Sequence, residues 1–377
     1  MHRSSLLSPE EQRRFCFNVK RIYVAVSPGV RGGQRPNVTL GLITTLVLSI
    51  AKRFSYPLFM ASLERELHRW LRQQIGDSLR PDVLIGVGDD AAVVAGSDHP
   101  QVITTDTIAD GTHFLTAKHS LELIGRKSLA INLSDIAAMG AEPKTAVLHW
   151  FLPRSFSSTD AKSLFVGIKN LADQYLVQII GGDTNCWDGP LVVGATVIGQ
   201  LESPDNVWRM SGASPGDAVY VSGKFGGSIL GHHLSFEPAV QLAKSLAATG
   251  IVSAATDASD SLASDLNAIA VASGCGAELM LGQIPIADAA FVQAQGSADP
   301  STKSDSVDQR ALHYALTDGE DFGLILGIPE EKQSVIEQDE TLRNQLTRVG
   351  TFIEQTGLWS VRNDDTRAPI KPQGYDH

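Results

Sequence analysis

The sequence predicts an α+β protein with two domains. The chain has 377 residues, 43% of them hydrophobic and 19% charged, which is globular composition at a length that suits two domains of common size. Strand-like and helix-like segments are mixed without a regular βαβ rhythm, so an α+β arrangement is favoured over a doubly wound parallel sheet. The proline-, glycine- and serine-rich stretch ESPDNVWRMSGASPGD interrupts the apolar pattern. We therefore predict an N-terminal domain over 60–205 and a C-terminal α+β domain over 206–377.

Residues 1–59 differ in composition from the rest of the chain. An arginine-rich stretch precedes the apolar run VTLGLITTLVLSIA at 38–51. This run is shorter than the roughly 20 residues that a membrane-spanning helix needs, and no A-x-A cleavage site follows it. We expect 1–59 to be a poorly ordered extension, with translation from Met60 as one explanation and a signal sequence as the alternative.

The segment 60–205 alternates helix and strand patterns. ASLERELHRWLRQQI and LELIGRKSLAINLSDIAAMG carry apolar residues at helical spacing. LIGVGDDAAVV reads as strand, turn and strand, and QVITTDTI reads as another strand. A helix over 160–175 begins at a Ser-Ser-Thr-Asp cluster, and the strands VQII and LVVGATVIGQL flank a turn at GGDTN. The apolar face of the second helix consists of Leu129, Leu133, Ile136, Ala137 and Gly140.

The segment 206–377 begins with a predicted strand, AVYVSG, and a glycine-rich turn, GKFGGS. Helices are predicted around 239–248 and 262–273, and FGLILGI is a late strand. Residues 296–308 are predicted as a surface loop.

Charge and cysteine content exclude several classes of protein. The net charge is −11 and no long basic run occurs, so we expect no nucleic-acid partner. Cys16, Cys186 and Cys275 are far apart and outside any CxxC pair, which argues against a disulfide framework and a zinc site. We expect a cytoplasmic protein without a membrane partner.

We predict that the acidic residues recur at glycine-rich turns. Segment 86–114 alone holds five aspartates and no lysine or arginine. Each Asp beside a Gly has a simpler explanation as a turn residue or helix cap. If the carboxylates converge, they raise one another's pKa values unless a cation is present, and oxygen-only ligands suit Mg²⁺. The acidic positions are Asp89, Asp90, Asp106, Asp135, Asp183, Asp257, Asp260, Glu320 and Asp321.

Several familiar motifs are absent from the sequence. It contains no GxxxxGK[ST] loop, no GxGxxG after a strand, no HExxH and no GxSxG. The run GKFGGS at 223–228 is either a backbone anion site or a plain tight turn.

Residues 86–330 resemble the thiamine-monophosphate kinase family, within the superfamily of aminoimidazole ribonucleotide synthetase-like proteins. The matching segments are GVGDDAAVV, TTDTIADGTHF, GRKSLAINLSDIAAMGAEP, IIGGDT, TDASDSLASDL, SGCGAEL and DGEDF. The resemblance implies the two-domain fold of that superfamily and a homodimer in which the N-terminal mixed sheets join. It also implies ATP-dependent phosphorylation of thiamine monophosphate to thiamine diphosphate, with several Mg²⁺ ions.

The resemblance also implies roles for individual residues. It places His113 and Glu320 at the thiamine phosphate, and no residue acts as a general base, because the acceptor phosphate is already anionic. The residues implied for ATP are Gly182, Asp183, Arg209 and Ser259. The residues implied for Mg²⁺ are Asp90, Thr104, Thr105, Asp106, Asp135, Asp183, Asp257 and Asp260.

The chain departs from the family pattern at four positions. Ser261 replaces a glycine, which costs about 1 kcal/mol if that position has positive φ. Asp318 adds a negative charge beside Glu320. Met210 stands where an ATP-contacting arginine is usual, with Arg209 adjacent, and Pro372 stands where an aromatic residue is usual. Two alternatives follow: a superfamily relative with another ATP-activated acceptor, or a dimer that binds Mg²⁺ and nucleotide without turnover.

Overall fold

The structure is a computed structural model that describes residues 70–71, 73–75, 80–86, 91–296, 306–362 and 366–374. The predicted extension at 1–59, the pair Asp89 and Asp90, and most of the predicted loop at 296–308 lie outside these residues. In the predicted first helix, residues 70, 71 and 73–75 are helical. None of the described helices is long and apolar enough to cross a membrane.

A mixed sheet organises residues 101–200. The first strands of the chain are β1 (Val83–Ile85), β2 (Val93–Val94), β3 (Gln101–Ala109), β4 (Glu142–Pro153), β5 (Gln178–Trp187) and β6 (Val192–Gln200). β1 and β2 form a separate antiparallel pair. The other four lie in the order β3-β6-β4-β5, with β4 parallel to β5 and β6 antiparallel to β3 and β4. The predicted mixed N-terminal sheet is therefore confirmed.

Two long helices cover one face of this sheet, α1 (Leu121–Ala138) and α2 (Ser158–Gln174). α2 begins as predicted, because Ser157 and Asp160 form a capping box. The helices approach closely at two glycines. A Cβ on Gly125 would lie 2.0 Å from the Leu164 carbonyl oxygen, and one on Gly167 would lie 1.8 Å from that of Glu122. Only glycine fits at these positions.

The C-terminal part is built on a seven-stranded sheet. Its strands are β7 (Ala218–Ser222), β8 (Ala254–Asp257), β9 (Gly276–Met280), β10 (Leu324–Ile328), β11 (Leu346–Ile353), β12 (Gly357–Val361) and β13 (Arg367–Ile370). They lie in the order β13-β12-β9-β11-β7-β10-β8. Only the pair β9 and β12 is parallel among these described strands. The predicted strands AVYVSG and FGLILGI correspond to the neighbours β7 and β10.

Seven described helices accompany this sheet. They are α3 (His232–Ser235), α4 (Val240–Ala247), α5 (Leu262–Ser273), α6 (Asp288–Gly296), α7 (Val307–Thr317), α8 (Gln333–Gln338) and α9 (Glu340–Gln345). The predicted helices at 239–248 and 262–273 correspond to α4 and α5. The mixture of sheets and helices agrees with the predicted α+β class.

Helix α1 is buried on nearly every side. Of its 18 residues, 13 are buried, because it packs against α2, β3 and β6 on one side and against α3, α4 and β8 on the other. The largest hydrophobic cluster accordingly contains residues of both parts, among them Leu133, Trp150, Leu246 and Leu326. The domain boundary between 205 and 206 stays a prediction.

The positions of three acidic residues correct the prediction that they occupy turns. Asp106 lies within β3, Asp135 within α1, and Asp183 within β5, which runs through GGDTN without a turn. The glycine in that segment has another cause: a Cβ on Gly182 would lie 2.6 Å from the Leu148 carbonyl oxygen on β4. Gly140 follows α1 in a left-handed conformation, with φ of 72°, and so lies beyond the helix rather than on its apolar face.

Candidate active site

A cavity of about 500 Å³ opens between the N-terminal and C-terminal parts of the described chain. Its walls come from β3, from α1, and from the segments that follow β8 and α7. Gly374, near the end of the described residues, also lines it. Six of the predicted site residues line this cavity: Asp106, His113, Asp135, Ser259, Asp260 and Glu320.

The first acidic pair lies where β3 faces α1. Side chains alternate along a strand, so Thr104 and Asp106 share the face toward the helix. Thr104 Oγ1 donates a hydrogen bond of 2.5 Å to Asp135 Oδ2, and the Asp106 backbone N–H donates one of 3.0 Å to Asn132 Oδ1. Asn132 and Asp135 reach the same strand because residues three apart share one face of a helix.

The second acidic pair lies at the end of β8: Asp257 is the last residue of the strand, and Asp260 follows it. Asp257 is buried and accepts a hydrogen bond of 2.5 Å from Ser134 Oγ. The backbone N–H of Asp260 donates a hydrogen bond of 3.0 Å to Asp265 Oδ2. We call Asp106, Asp135, Asp257 and Asp260 the acidic group.

Burial and mutual repulsion raise the pKa values inside the acidic group. Burial raises the pKa of Asp135 to about 8, and the charges of Asp257 and Asp106 add to this, whereas the hydrogen bond from Thr104 opposes it. Burial raises the pKa of Asp257 to about 6, with contributions from Asp106 and Asp260. Carboxylates in this situation take up either a proton or a cation.

The donor set of the acidic group fits a divalent magnesium ion. All its side-chain ligands are oxygen atoms, which Mg²⁺ prefers. Within the part of the chain that the structure describes, no three His, Cys, Asp or Glu side chains are arranged to hold a metal ion by themselves. Mg²⁺ commonly takes one or two carboxylates and completes its shell with water and phosphate oxygens. The acidic group therefore matches a site that a phosphate ligand completes.

Glu320 lines another part of the cavity and forms an ion pair with the fully buried Lys127. Lys127 Nζ, from α1, lies 2.5 Å from Glu320 Oε1 and donates a hydrogen bond of 2.9 Å to the His113 carbonyl oxygen. The His113 ring accepts a hydrogen bond of 3.1 Å at Nδ1 from the Ala109 backbone N–H, so Nε2 carries the proton in the neutral ring. His113 and Glu320, which lie far apart in the sequence, are thus both hydrogen-bonded to the side chain of Lys127.

The glycine-rich turn at 223–228 holds the segment that carries Glu320. The Gly226 N–H donates 2.9 Å to Asp321 Oδ2, and the Gly227 N–H donates 2.8 Å to Asp318 Oδ2. Both glycines have positive φ, 90° and 74°. These two N–H groups bind carboxylates of the protein, so the tight-turn explanation fits the segment. Asp318, a departure from the family pattern, has a structural partner here.

Several predicted site residues do not line the cavity. Thr105 points to the opposite face of β3, where its hydroxyl donates to the Ala195 carbonyl oxygen. Gly182 and Asp183 lie on β5, at the other edge of the sheet from β3. Arg209 is exposed and does not line the cavity. Asp90 lies outside the described residues.

Asp183 nevertheless connects to the cavity through a row of paired residues. Thr107 pairs with Gly194, Gly194 with His149, and His149 with Asp183. Thr107 lines the cavity, and its Oγ1 lies 2.8 Å from His149 Nε2. A Cβ on Gly194 would lie 2.1 Å from that nitrogen, so the glycine makes this contact across the strand possible.

The departure at Ser261 has no backbone strain. Its φ is 173°, which is extended backbone open to any residue, so the cost expected for positive φ does not arise. Its hydroxyl accepts a hydrogen bond of 3.0 Å from the Ser264 N–H at the start of α5 and donates one of 2.7 Å to the Gln373 carbonyl oxygen. Met210 and Pro372 are exposed and do not line the cavity.

Sequence reasoning missed three residues that support the site: Lys127, Asn132 and Ser134. Spacing contained a signal for Lys127, because it lies four residues before Ile131 and eight before Asp135 on one helical face. Both of those residues line the cavity.

A family model and a solved structure are both similar to this chain. Residues 88–201 match the family model described as AIR synthase related protein, N-terminal domain. A structure described as AaThiL complexed with AMPPCP and TMP has a TM-score of 0.63 at 24% identity, covering 77% of this chain and 91% of that one. Residues 88–201 are therefore similar to the N-terminal domain of AIR synthase-related proteins, and the chain shares the fold of the AaThiL structure.

Two relatives define the family more closely. The thiamine-monophosphate kinase of Rhodopirellula baltica is 41% identical over 305 residues, which is 79% of this chain and 92% of that protein. The crystal structure of thiamine-monophosphate kinase from Stenotrophomonas maltophilia has a TM-score of 0.63 at 30% identity, covering 74% of this chain and 92% of that one. The chain belongs to the thiamine-monophosphate kinase family.

Proposed function

We propose that this protein transfers a phosphoryl group from ATP to thiamine monophosphate and releases thiamine diphosphate. The observation that carries the proposal is the position of the acidic group: Asp106, Asp135 and Asp260 line one cavity with His113 and Glu320. Asp257 is buried next to them, and its charge helps to raise the pKa of Asp135. The relatives that bear the name of this activity support it, as does the related fold described with AMPPCP and TMP.

We propose that the acidic group holds several Mg²⁺ ions, together with the hydroxyl of Thr104. When bound, Mg²⁺ screens the repulsion between the two phosphate-bearing substrates and stabilises the charge of the transferring group. The unscreened repulsion between unit charges at 4 Å is about 4 kcal/mol at an effective dielectric of 20. Asp90, Thr105 and Asp183 remain proposed ligands on the strength of their motifs alone.

The protein's own residues then bind and orient the substrates. Asp106 and Asp135 line the cavity on the side of β3 and α1, whereas His113 and Glu320 line it near Lys127. The acceptor oxygen belongs to a phosphate that is anionic at neutral pH, so no side chain has to remove a proton. We propose Ser259, Gly182, Asp183 and Arg209 as contacts of ATP.

We further propose a homodimer that forms through the N-terminal sheets. β3 is an edge strand of its sheet, and Gln101, Ile103, Thr105 and Thr107 along it are exposed. Edge strands readily pair with another chain. We also propose a cytoplasmic location, because the three cysteines of the sequence are far apart and outside any CxxC pair.

An assay with purified protein, ATP, Mg²⁺ and thiamine monophosphate tests the proposed function. We expect thiamine diphosphate to appear by chromatography, with one ADP formed per product and no turnover when EDTA is present. ATP binding without thiamine diphosphate would overturn the proposal in favour of a protein that binds nucleotide without turnover.

A further inference from the structure

Lys127 is a fully buried lysine that is paired with Glu320, a residue that lines the cavity. Its exposed fraction is 0%, and it projects from the middle of α1. Its Nζ atom binds two groups that come from different parts of the chain, the His113 carbonyl oxygen and the Glu320 carboxylate. Nothing in the relatives' names or in the sequence motifs assigns a role to this side chain.

Burying a lysine costs free energy, and only a close partner offsets this cost. Removing an ammonium group from water disfavours its charged form, and burial lowers the pKa of Lys127, while the charge of Glu320 raises it. Replacing a buried ion pair by apolar residues of similar size is often neutral or stabilising. Stability alone therefore does not account for this pair.

The geometry around Glu320 shows what the pair holds in place. Glu320 has φ of 63°, a left-handed conformation that is uncommon for a residue with a side chain and is maintained only by strong surrounding contacts. Its N–H donates a hydrogen bond of 2.7 Å to the Ser259 carbonyl oxygen. The glycine-rich turn binds the flanking Asp318 and Asp321. The backbone is thus fixed from two sides, and Lys127 fixes the side chain.

Charge gives the second part of the argument. A carboxylate in a cavity that receives a phosphate repels that phosphate unless a cation compensates it. Lys127 supplies a compensating charge 2.5 Å from Glu320 Oε1. Across the cavity, Mg²⁺ in the acidic group would serve the same purpose, but Lys127 requires no added ion.

We propose that Lys127 is a positioning residue for the phosphate acceptor: it joins His113 to Glu320 and neutralises Glu320, so that thiamine monophosphate binds between them. This inference rests on the proposed function. It assigns to Lys127 an effect on the acceptor and not on ATP, because the residues that Lys127 binds are those proposed to face the acceptor.

The test compares Lys127→Met, Glu320→Gln and the double variant with the unmodified full-length protein. Initial rates are measured while thiamine monophosphate and ATP are varied separately. We expect Lys127→Met to raise KM for thiamine monophosphate at least tenfold, with KM for ATP changed less than twofold. Both side chains act through one contact. The KM of the double variant for thiamine monophosphate should therefore be no higher than the higher of the two single-variant values.

Lys169→Met is the matched control, because it breaks a lysine–carboxylate pair of 2.5 Å, with Asp173 on α2, outside the cavity. We expect its kinetic constants to be unchanged. Equal rises in both KM values for Lys127→Met, or multiplicative effects in the double variant, would overturn the inference. An unmodified protein that makes no thiamine diphosphate would instead overturn the proposed function, and calorimetric binding of thiamine monophosphate to each variant would then decide the role of Lys127.

Discussion

Asp135 is a helical residue whose carboxyl group lies close to two other carboxylates. Its carboxyl group is largely buried, and it interacts with Asp257 and Asp106. Without a cation this arrangement favours a protonated carboxyl group, whereas a metal ion would favour the ionised one. The side chain therefore has opposite effects on the stability of the metal-free protein and on the proposed activity.

Asp135→Asn tests this conflict. We expect the variant to lose phosphoryl transfer, because a proposed Mg²⁺ ligand is gone. Its melting temperature in EDTA should be equal to or higher than that of the unmodified protein, because the amide resembles the protonated carboxyl group and can still accept from Thr104. The turnover assay and thermal unfolding measure both effects. Asp173→Asn, at an exposed position on α2, is the control, and near-normal activity of Asp135→Asn would remove Asp135 from the site.

Asp321 provides a prediction about pH that does not involve the acidic group. Burial raises its pKa to about 8, and the charge of Asp318 adds to this. Below pH 4 the group is protonated in both the folded and the unfolded chain. Between pH 4 and 8 only the folded chain retains the proton, so the contribution of Asp321 to stability is lost as pH rises.

Asp321→Asn should remove this loss, because the amide oxygen still accepts from the Gly226 N–H without a titrating group. We expect the free energy of unfolding of the variant, relative to the unmodified protein, to increase between pH 5.5 and pH 8.0 in urea titrations. Asp98→Asn, at an exposed position, is the control. A difference between variant and unmodified protein that does not change with pH would contradict the argument.

At the scale of elements, the crossing of α1 and α2 fixes where the site residues of α1 lie. Gly125 and Gly167 bring the two helix backbones into contact. The depth at which α1 sits on the sheet then sets the distance from Asp135 to Thr104 on β3. Gly125 and Gly167, which have no side chains, thus help to set the contact between Asp135 and Thr104.

Gly167→Ala tests the crossing. The added Cβ would lie 1.8 Å from the Glu122 carbonyl oxygen, so the helices must separate, and overpacking of this kind typically costs about 1–3 kcal/mol. We expect a lower midpoint of urea unfolding and reduced activity. Gly96→Ala is the matched control, because a Cβ there meets nothing within 4 Å. Equal midpoints for the two variants would show that the crossing tolerates a methyl group.

Local patterns predicted elements better than they predicted the site. Periodicity placed α5 at 262–273, and the Ser-Ser-Thr-Asp cluster marked the start of α2, because both signals are contained within a few residues. Asp and Gly are common in turns, and their abundance predicts turns at the acidic positions. In the structure, however, Asp106 and Asp183 lie in strands. Motif resemblance predicted that Asp106 and Asp260 belong to one site, and both line the cavity. Their spacing in the sequence alone would not have indicated this.

The spacing of Lys127 from Ile131 and Asp135 places it on the helical face toward the cavity, but its pairing with Glu320 was not predictable from local sequence. A lysine within LELIGRKSLAINLSD resembles a solvated charge on an amphipathic helix. Its partner Glu320 is 193 residues away, so only the folded chain reveals the pair. In contrast, the family followed from the motif segments, and the α+β class followed from the irregular mixture of strand-like and helix-like segments; both are confirmed.

At the scale of the whole molecule, all cavity residues lie between Asp106 and Gly374. We predict that deleting residues 1–59 leaves kcat/KM for both substrates within twofold and leaves the elution volume on gel filtration consistent with the same oligomer. Kinetic assays and light scattering measure this. A large loss of activity or of folded protein would show that the extension contributes to packing, and a variant with residues 1–20 deleted would then locate the contribution.

Helix α1 supplies Asp135 to the cavity and Lys127 to the ion pair with Glu320, and it packs against elements of both parts of the fold. In a hybrid protein that combines the N-terminal part of this chain with the C-terminal part of a relative, α1 would therefore pack against one part that did not evolve with it. A chimera should fold and bind substrate only if α1 is transferred together with both surfaces that it contacts. An exchange designed to change substrate preference should therefore move these three parts as one.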